Sequence, residues 1–194
     1  MALDVVILGP PGAGKGTQGA LISHEAGLPH INTGDMFRAE CAAGTPLGQR
    51  VTAILDAGDL VPDELTIEIV RARLAQDDTA DGFVLDGFPR TLAQAEALDR
   101  LLEELDRGEL SVVLNFQLPE EVAVERLLGR GAQQHRSDDT GETIAHRLDV
   151  YHEKTEPLIE YYRSKGILVG IHAAGTVDEV FSEVQQVLET ASAR

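Results

Sequence analysis

Short apolar runs alternate with amphipathic stretches along most of this 194-residue chain. Residues Leu3–Leu8 (LDVVIL) are rich in β-branched side chains and nearly uncharged, which predicts a strand buried on both faces of a parallel sheet. Four further runs, His30–Thr33, Phe83–Leu85, Val112–Gln117 and Ile167–Ile171, predict four more strands. Helical periods fill the gaps between them. Thr17–Ala26 stops at Gly27, Thr91–Leu105 sets Leu98, Leu101, Leu102 and Leu105 on one face, and Glu120–Leu128 repeats that spacing. The alternation predicts an α/β fold: a five-stranded parallel sheet with helices on both faces, binding ligands at the C-terminal strand ends.

Two regions break the rhythm. From Asp35 to about Gln76, three helical pieces follow one another without a strand, punctuated by Gly44, Gly58 and Pro62. From Gly129 to Glu142 (GRGAQQHRSDDTGE) large apolar groups nearly vanish. The first predicts a small helical subdomain and the second an exposed flap, both on the loop side of the sheet, where a closing element can exclude water from a bound phosphate.

Candidate chemistry begins where the first apolar run ends. Leu8–Gln18 (LGPPGAGKGTQ) sets four glycines and two prolines around one lysine, between a predicted strand and a predicted helix. Glycines let successive backbone N–H groups turn toward one anion, the helix N-terminus adds positive potential, and Lys15 reaches the outer phosphates. The position after Lys15 holds Gly16 rather than a hydroxyl residue, and the hydroxyl comes one later, as Thr17. A direct Mg²⁺ ligand from this loop is therefore not expected where GTPases and ATPases place one.

Composition narrows the partners. The net charge of −17 repels polyanions, so nucleic acid and anionic membranes are not expected partners. Only three of the 16 basic residues are lysines, which makes clusters of arginine worth following. Cys41 is the single cysteine, so neither an internal disulfide nor a Cys-rich zinc site can form. No apolar run approaches the roughly 18 residues that span a bilayer, and no charged leader precedes Leu3. A cytoplasmic protein is predicted, and the lack of a long apolar surface stripe predicts a monomer.

Asp86-Gly-Phe-Pro-Arg90 follows the third apolar run. An aspartate ending a strand beside a phosphate loop can hold waters around Mg²⁺, and the glycine and proline make a rigid turn that aims Arg90 over the sheet edge. Gln94 closes a capping box with Thr91, which accounts for it as fully as a binding role does. Arg38, Arg90, Arg126, Arg130, Arg136 and Arg147 each fall beside a loop or at a loop-side helix end. Transfer of a phosphoryl group between two nucleotides gathers many negative oxygens and calls for such permanently charged forks.

GPPGAGKGT, NTGDMFR, DGFPRT, the GRG flap and RSDDTGETIAHRLDVYHEKTEPLIEYY together resemble the adenylate kinases, in order and with family-like spacing from about Leu3 to the C-terminal helix. The resemblance implies a P-loop fold with a core over 1–31, 62–128 and 140–194, a nucleoside-monophosphate-binding subdomain over 32–61 and a short lid over 129–139. It implies reversible transfer of the γ-phosphoryl of Mg·ATP to AMP, giving two ADP. By position, Gly12, Ala13, Gly14, Lys15, Gly16 and Thr17 would wrap the ATP phosphates, with Arg126 against the ATP adenine and Gly175 touching it through backbone. Thr33, Arg38, Asp59, Leu60, Val61, Gly87, Phe88, Pro89, Arg90 and Gln94 would form the AMP pocket, Gln94 reading the adenine edge. Arg130, Arg136 and Arg147 would clamp phosphates as the lid closes, Arg136 and Arg147 also facing AMP. Asp86 would hold Mg²⁺ through water.

This chain departs from the pattern in places. Its lid lacks the cysteines on which longer lids bind zinc, Ala132–His135 adds length before Arg136, and Ala174 stands where an acidic residue often precedes the Gly-Thr pair. Asp138 and Asp139 suit either a ligand role or favourable charge at the next helix N-terminus. A pyrimidine (UMP or CMP) monophosphate kinase shares the loop and the DGFPR turn, but such relatives tend to carry alanine at the position of Thr33 and asparagine at that of Thr91. A non-catalytic nucleotide-binding module would need the phosphate loop but no second group of arginines.

Overall fold

Strand β1 (Leu3–Leu8) runs through the middle of the sheet, and its side chains alternate between two cores. Val5 and Ile7 join Ile22, Val84, Leu114, Phe116, Ile171 and Val184 on one face. Val6 and Leu8 join Ile31, Phe83, Leu85, Leu98, Leu101 and Tyr162 on the other. Burial on both faces is what a nearly uncharged strand at the centre of a parallel sheet requires. The structure, a computed structural model, describes residues 2–134 and 140–192.

The five strands are β1, β2 (His30–Asn32), β3 (Gly82–Asp86), β4 (Val112–Gln117) and β5 (Leu168–His172), all parallel, in the spatial order β2-β3-β1-β4-β5. Strand order reverses at β1, which opens a crevice beyond its C-terminal end. Helices α1 (Lys15–Ala26) and α9 (Val177–Ser192) cover one face. The other carries α4 (Asp63–Leu74), α5 (Leu92–Glu104) and α8 (Pro157–Ser164). Among the described residues no helix is long and apolar enough to cross a membrane.

The strandless stretch forms α2 (Thr33–Ala43), α3 (Pro46–Ala57) and then α4. Phe37, Val51 and Val61 make a small core of their own there, with Leu47, Ile54 and Leu55 against it. Thr33, assigned to a strand from sequence, instead opens α2, because the Asn32 side chain accepts the Asp35 N–H at 2.9 Å and caps the helix. The polar stretch after Leu128 also differs from expectation. Helix α6 (Glu120–Gln134) continues through Gly129 and Gly131, so the first part of the predicted flap is helical. Beyond it, α7 (Gly141–Val150) packs Ile144 and Leu148 onto Leu127 and runs into a π-helical turn, Tyr151–Thr155.

Candidate active site

The loop between β1 and α1 is pressed against neighbouring backbone. Gly9 has φ 144° and Gly12 φ 85°; a Cβ on Gly9 would lie 2.7 Å from the Phe116 carbonyl oxygen, and one on Gly12 2.7 Å from that of Ala123. Both positions thus need glycine twice over, for conformation and for room. Lys15, the first residue of α1, folds back beneath the loop, its Nζ donating to the Gly9 and Pro10 carbonyls at 2.9 and 2.8 Å. Burial of this ammonium lowers its pKa to about 8; Asp86 opposes that shift, while Arg90, Arg147 and Arg130 reinforce it.

Asp86 ends β3 and is buried. Its Oδ2 accepts from Asn32 Nδ2 at 2.6 Å and lies 3.6 Å from His30 Nε2. Burial alone would raise the carboxyl pKa, but the polar pull of His30 and the charges of Lys15 and Arg90 outweigh it and hold the group below the usual carboxylate range. Among the described residues no three His, Cys, Asp or Glu side chains converge on one point. A lone buried carboxylate beside a phosphate loop suits Mg²⁺, which keeps most of its waters and takes phosphate oxygens, rather than an all-protein cage.

The turn after β3 joins this region to a second cavity. Gly87 has φ 80°, and its carbonyl accepts from both Thr33 Oγ1 and Arg90 Nε at 2.9 Å. Thr155 Oγ1, in the π-helical turn, donates to the Arg90 carbonyl at 2.9 Å, so the turn is held from two directions. The cavity beyond it is lined by Thr33, Leu60, Val61, Gly87, Arg90 and Gln94, on the inner side of the small helical subdomain. A cleft lined by Lys15, Gly58, Arg90 and Arg147 connects it to the phosphate loop. A third hollow, on the other side of the loop, is lined by Gly12, Gly14, Gly16, Thr17, Arg126 and Arg130.

The adenylate kinase family model matches residues 7–167. An adenylate kinase of Corynebacterium aurimucosum is 53% identical over 183 residues, covering 94% of this chain and 97% of the relative. One of Mycobacteroides abscessus is 53% identical over 186 residues, covering 96% and 99%, and one of Thermus thermophilus 50% over 184 residues, covering 95% and 96%. The chain belongs to the adenylate kinase family.

In this adenylate kinase family member, most of the residues singled out from sequence line the two hollows and the cleft between them. Thr33, Asp59, Leu60, Val61, Gly87, Arg90 and Gln94 share the cavity under the subdomain. Phe88 and Pro89 complete the turn, across a cis peptide bond. Arg38 lies on α2, where its guanidinium pairs with Asp35 at 2.6 Å. On the opposite side, Arg126 donates to the carbonyls of Ala173 at 2.9 Å and of Ala174 and Gly175 at 3.4 Å, which brings Arg126 and Gly175 together through the loop before α9. Ala13 is buried against the α1–α9 face of the sheet. Arg136, Asp138 and Asp139 lie outside the described residues.

Several groups at the site escaped the sequence reading. Asp63 takes the side chains of both Gln94 and Thr91, although its only local signal is an acidic residue in the first turn of α4. Asn32 and His30 flank Asp86 from the neighbouring strand, a relation fixed by sheet pairing. Thr155 lies within the long stretch that resembles the family but was given no role of its own, and its π-helical setting has no sequence signature, although such turns are frequent at functional sites.

Proposed function

We propose that this chain transfers the γ-phosphoryl group of Mg·ATP reversibly to AMP, as a monomer in the cytoplasm, with ATP across the loop Gly12–Thr17 and AMP in the cavity under the subdomain 32–61. The observation that carries this reading is the cleft in which Lys15, Arg90 and Arg147 meet between two separate hollows. A phosphate oxygen of AMP attacks the γ-phosphorus in line, the bond from that phosphorus to the β-bridging oxygen breaks, and two ADP result. The nucleophile already carries its charge, so no side chain need remove a proton.

Within that scheme Lys15 follows the transferring group, Arg90 orients the AMP phosphate, and Arg130 and Arg147 neutralise charge as it spreads over the equatorial oxygens. Arg126 and the Gly175 backbone border the ATP base, and Gln94 reads the adenine of AMP. Arg38 and Arg136 add charge on the AMP side. Asp86 would hold Mg²⁺ through water, and the ion would supply positive charge to offset that of the outer phosphates. Segment 129–139 serves as the lid over ATP, and the separate small core around Phe37 and Val51 lets 32–61 move as its own unit.

The test is ADP formation from ATP with AMP, CMP or UMP offered separately. Rapid turnover with AMP and little with either pyrimidine is expected. Preference for CMP or UMP would replace this reading with a pyrimidine nucleotide kinase, and no turnover with any acceptor would leave a nucleotide-binding module.

A further inference from the structure

Gln94 is buried, and both ends of its amide are engaged. Its Nε2 donates to Asp63 Oδ1 at 2.7 Å, and its Oε1 accepts the Arg90 backbone N–H at 2.7 Å. Asp63 is itself held: its Oδ2 accepts from Thr91 Oγ1 at 3.0 Å, and that hydroxyl accepts the Gln94 backbone N–H at 3.2 Å. A carboxylate only accepts hydrogen bonds and a backbone N–H only donates them. Turning the amide by 180° would therefore set its oxygen against Asp63 and its NH₂ against the Arg90 N–H. One orientation satisfies both neighbours, and it leaves one N–H and one oxygen lone pair available at the cavity that Gln94 lines.

That remaining edge has a definite sense. Adenine offers an acceptor at N1 beside a donor in its 6-amino group, and it pairs with the free N–H and the free lone pair together. Hypoxanthine has the same outline but the opposite edge, a donor at N1–H beside an acceptor at the 6-oxo oxygen. Against a locked amide, each of its two groups would meet its own kind. An amide free to turn would accept either base.

We propose that Asp63 is a specificity-determining residue that acts through Gln94: together with the Arg90 backbone N–H it fixes the amide so that the site accepts an adenine edge and refuses the inverted edge of an otherwise identical 6-oxopurine monophosphate. This rests on the reading of Gln94 as the residue that contacts the base. Asp63 touches no substrate in this account. Its effect belongs in the comparison of AMP with IMP, where a loss of folding or of general activity would cancel. A buried polar edge facing the wrong partner discriminates strongly, because both sides lose their hydrogen bonds at once.

The experiment measures kcat/KM with ATP for AMP and for IMP in the wild type and in Asp63→Asn, Thr91→Val, Gln94→Ala and the Asp63→Asn/Gln94→Ala double variant. Asparagine presents an NH₂ as readily as an oxygen, so Asp63→Asn should reduce the AMP:IMP preference by about tenfold or more, mainly through KM. Thr91→Val keeps the carboxylate but removes the hydroxyl that holds it at Gln94, so that Asp63 can swing away from the amide, and should move the ratio the same way by roughly threefold. The double variant should show the ratio of Gln94→Ala alone, because Asp63 has nothing to act on once the amide is gone. An unchanged ratio in Asp63→Asn, or in Thr91→Val should Asp63→Asn not fold, overturns the lock if Gln94→Ala collapses the preference. If Gln94→Ala leaves the wild-type ratio intact, the base-reading role of Gln94 itself fails, and the lock with it.

Discussion

His146 Nε2 and Asp59 Oδ1 stand 2.6 Å apart, so α7 touches the chain just after α3 beside the cleft that Gly58 and Arg147 both line. A Cβ on Gly58 would lie 2.8 Å from both Arg147 Cγ and Thr143 Cγ2, which shows how closely the two elements approach. Both partners of the pair are about half exposed, at 46% and 53%, and exposed contacts of this kind contribute about 1 kcal/mol or less. His146→Ala should therefore weaken AMP by no more than about fivefold. Calorimetric titration of AMP checks this; a loss of a hundredfold would mean that the pair does more than fasten two surfaces.

Lys15 gives a pH dependence whose direction follows from its burial. Its pKa in the free protein is lowered to about 8, against 10.5 for an ordinary lysine, so half of the molecules have lost this proton by about pH 8. Phosphates placed beside it favour the charged form. ATP binding should therefore take up a proton around pH 8 to 9, and its affinity should fall as pH rises through that range. Titration in two buffers of different ionisation enthalpy reads the proton directly, and Lys15→Met should show no such uptake.

The same shift bears on stability. Between about pH 8 and 10.5 the unfolded chain holds a proton at Lys15 that the folded chain has lost, so the contribution of this residue to stability improves as pH rises through that window. At neutral pH a charged Lys15 beneath the loop is unfavourable without nucleotide. Lys15→Met should thus melt no lower than the wild type at pH 7 while losing phosphoryl transfer by a hundredfold or more, about 3 kcal/mol in the transition state. Activity within tenfold of wild type in the folded variant would remove Lys15 from the reaction.

The proposed place of Arg90 on the AMP side separates the two nucleotides. It belongs to the turn that closes the cavity under the subdomain, with its Nε on the Gly87 carbonyl at 2.9 Å. Arg90→Ala should weaken AMP by about tenfold or more, the size of a lost charge-assisted contact, and ATP by no more than about twofold. Equal weakening of both in separate equilibrium titrations would refute its place on the AMP side.

Much of the fold was legible because its signals are local. Each of the five strands is a short apolar run bounded by polar or glycine residues, and all five match the structure within one residue at each end. The second run was read one residue too long, since Asn32 shows its capping role only once the chain turns. Helix α6 was read short because large apolar groups nearly vanish after Leu128, yet the helix runs on to Gln134, through Gly129 and Gly131, whose cost of about 1 kcal/mol each the preceding turns can absorb. The phosphate loop and the turn at Asp86–Arg90 are contiguous and so announce themselves. Asp63 meets Gln94 across 31 residues, Thr155 meets Arg90 across 65 and His146 meets Asp59 across 87, and no local pattern encodes such pairings.

Hydrogen exchange should follow the division into two nucleotide sites. The helical subdomain holds its own small core, while its contact with α7 includes the half-exposed His146–Asp59 pair. AMP, bound under that subdomain, should slow exchange mainly over 32–61. In the proposed scheme an analogue joining two adenosines through five phosphates would engage Lys15, Arg130 and Arg147 as well, and a ligand shifts a conformational equilibrium only through contacts that differ between its states. It should therefore protect 32–61 together with the end of α6, residues 129–134, and the arginine-bearing α7, residues 141–150. The comparison is made by mass spectrometry on peptides from those three segments. If the analogue protected 32–61 but left 129–134 and 141–150 exchanging as in the free protein, the arginines on that side would not be closing on phosphate, and the lid assigned to 129–139 would lose its motive contacts.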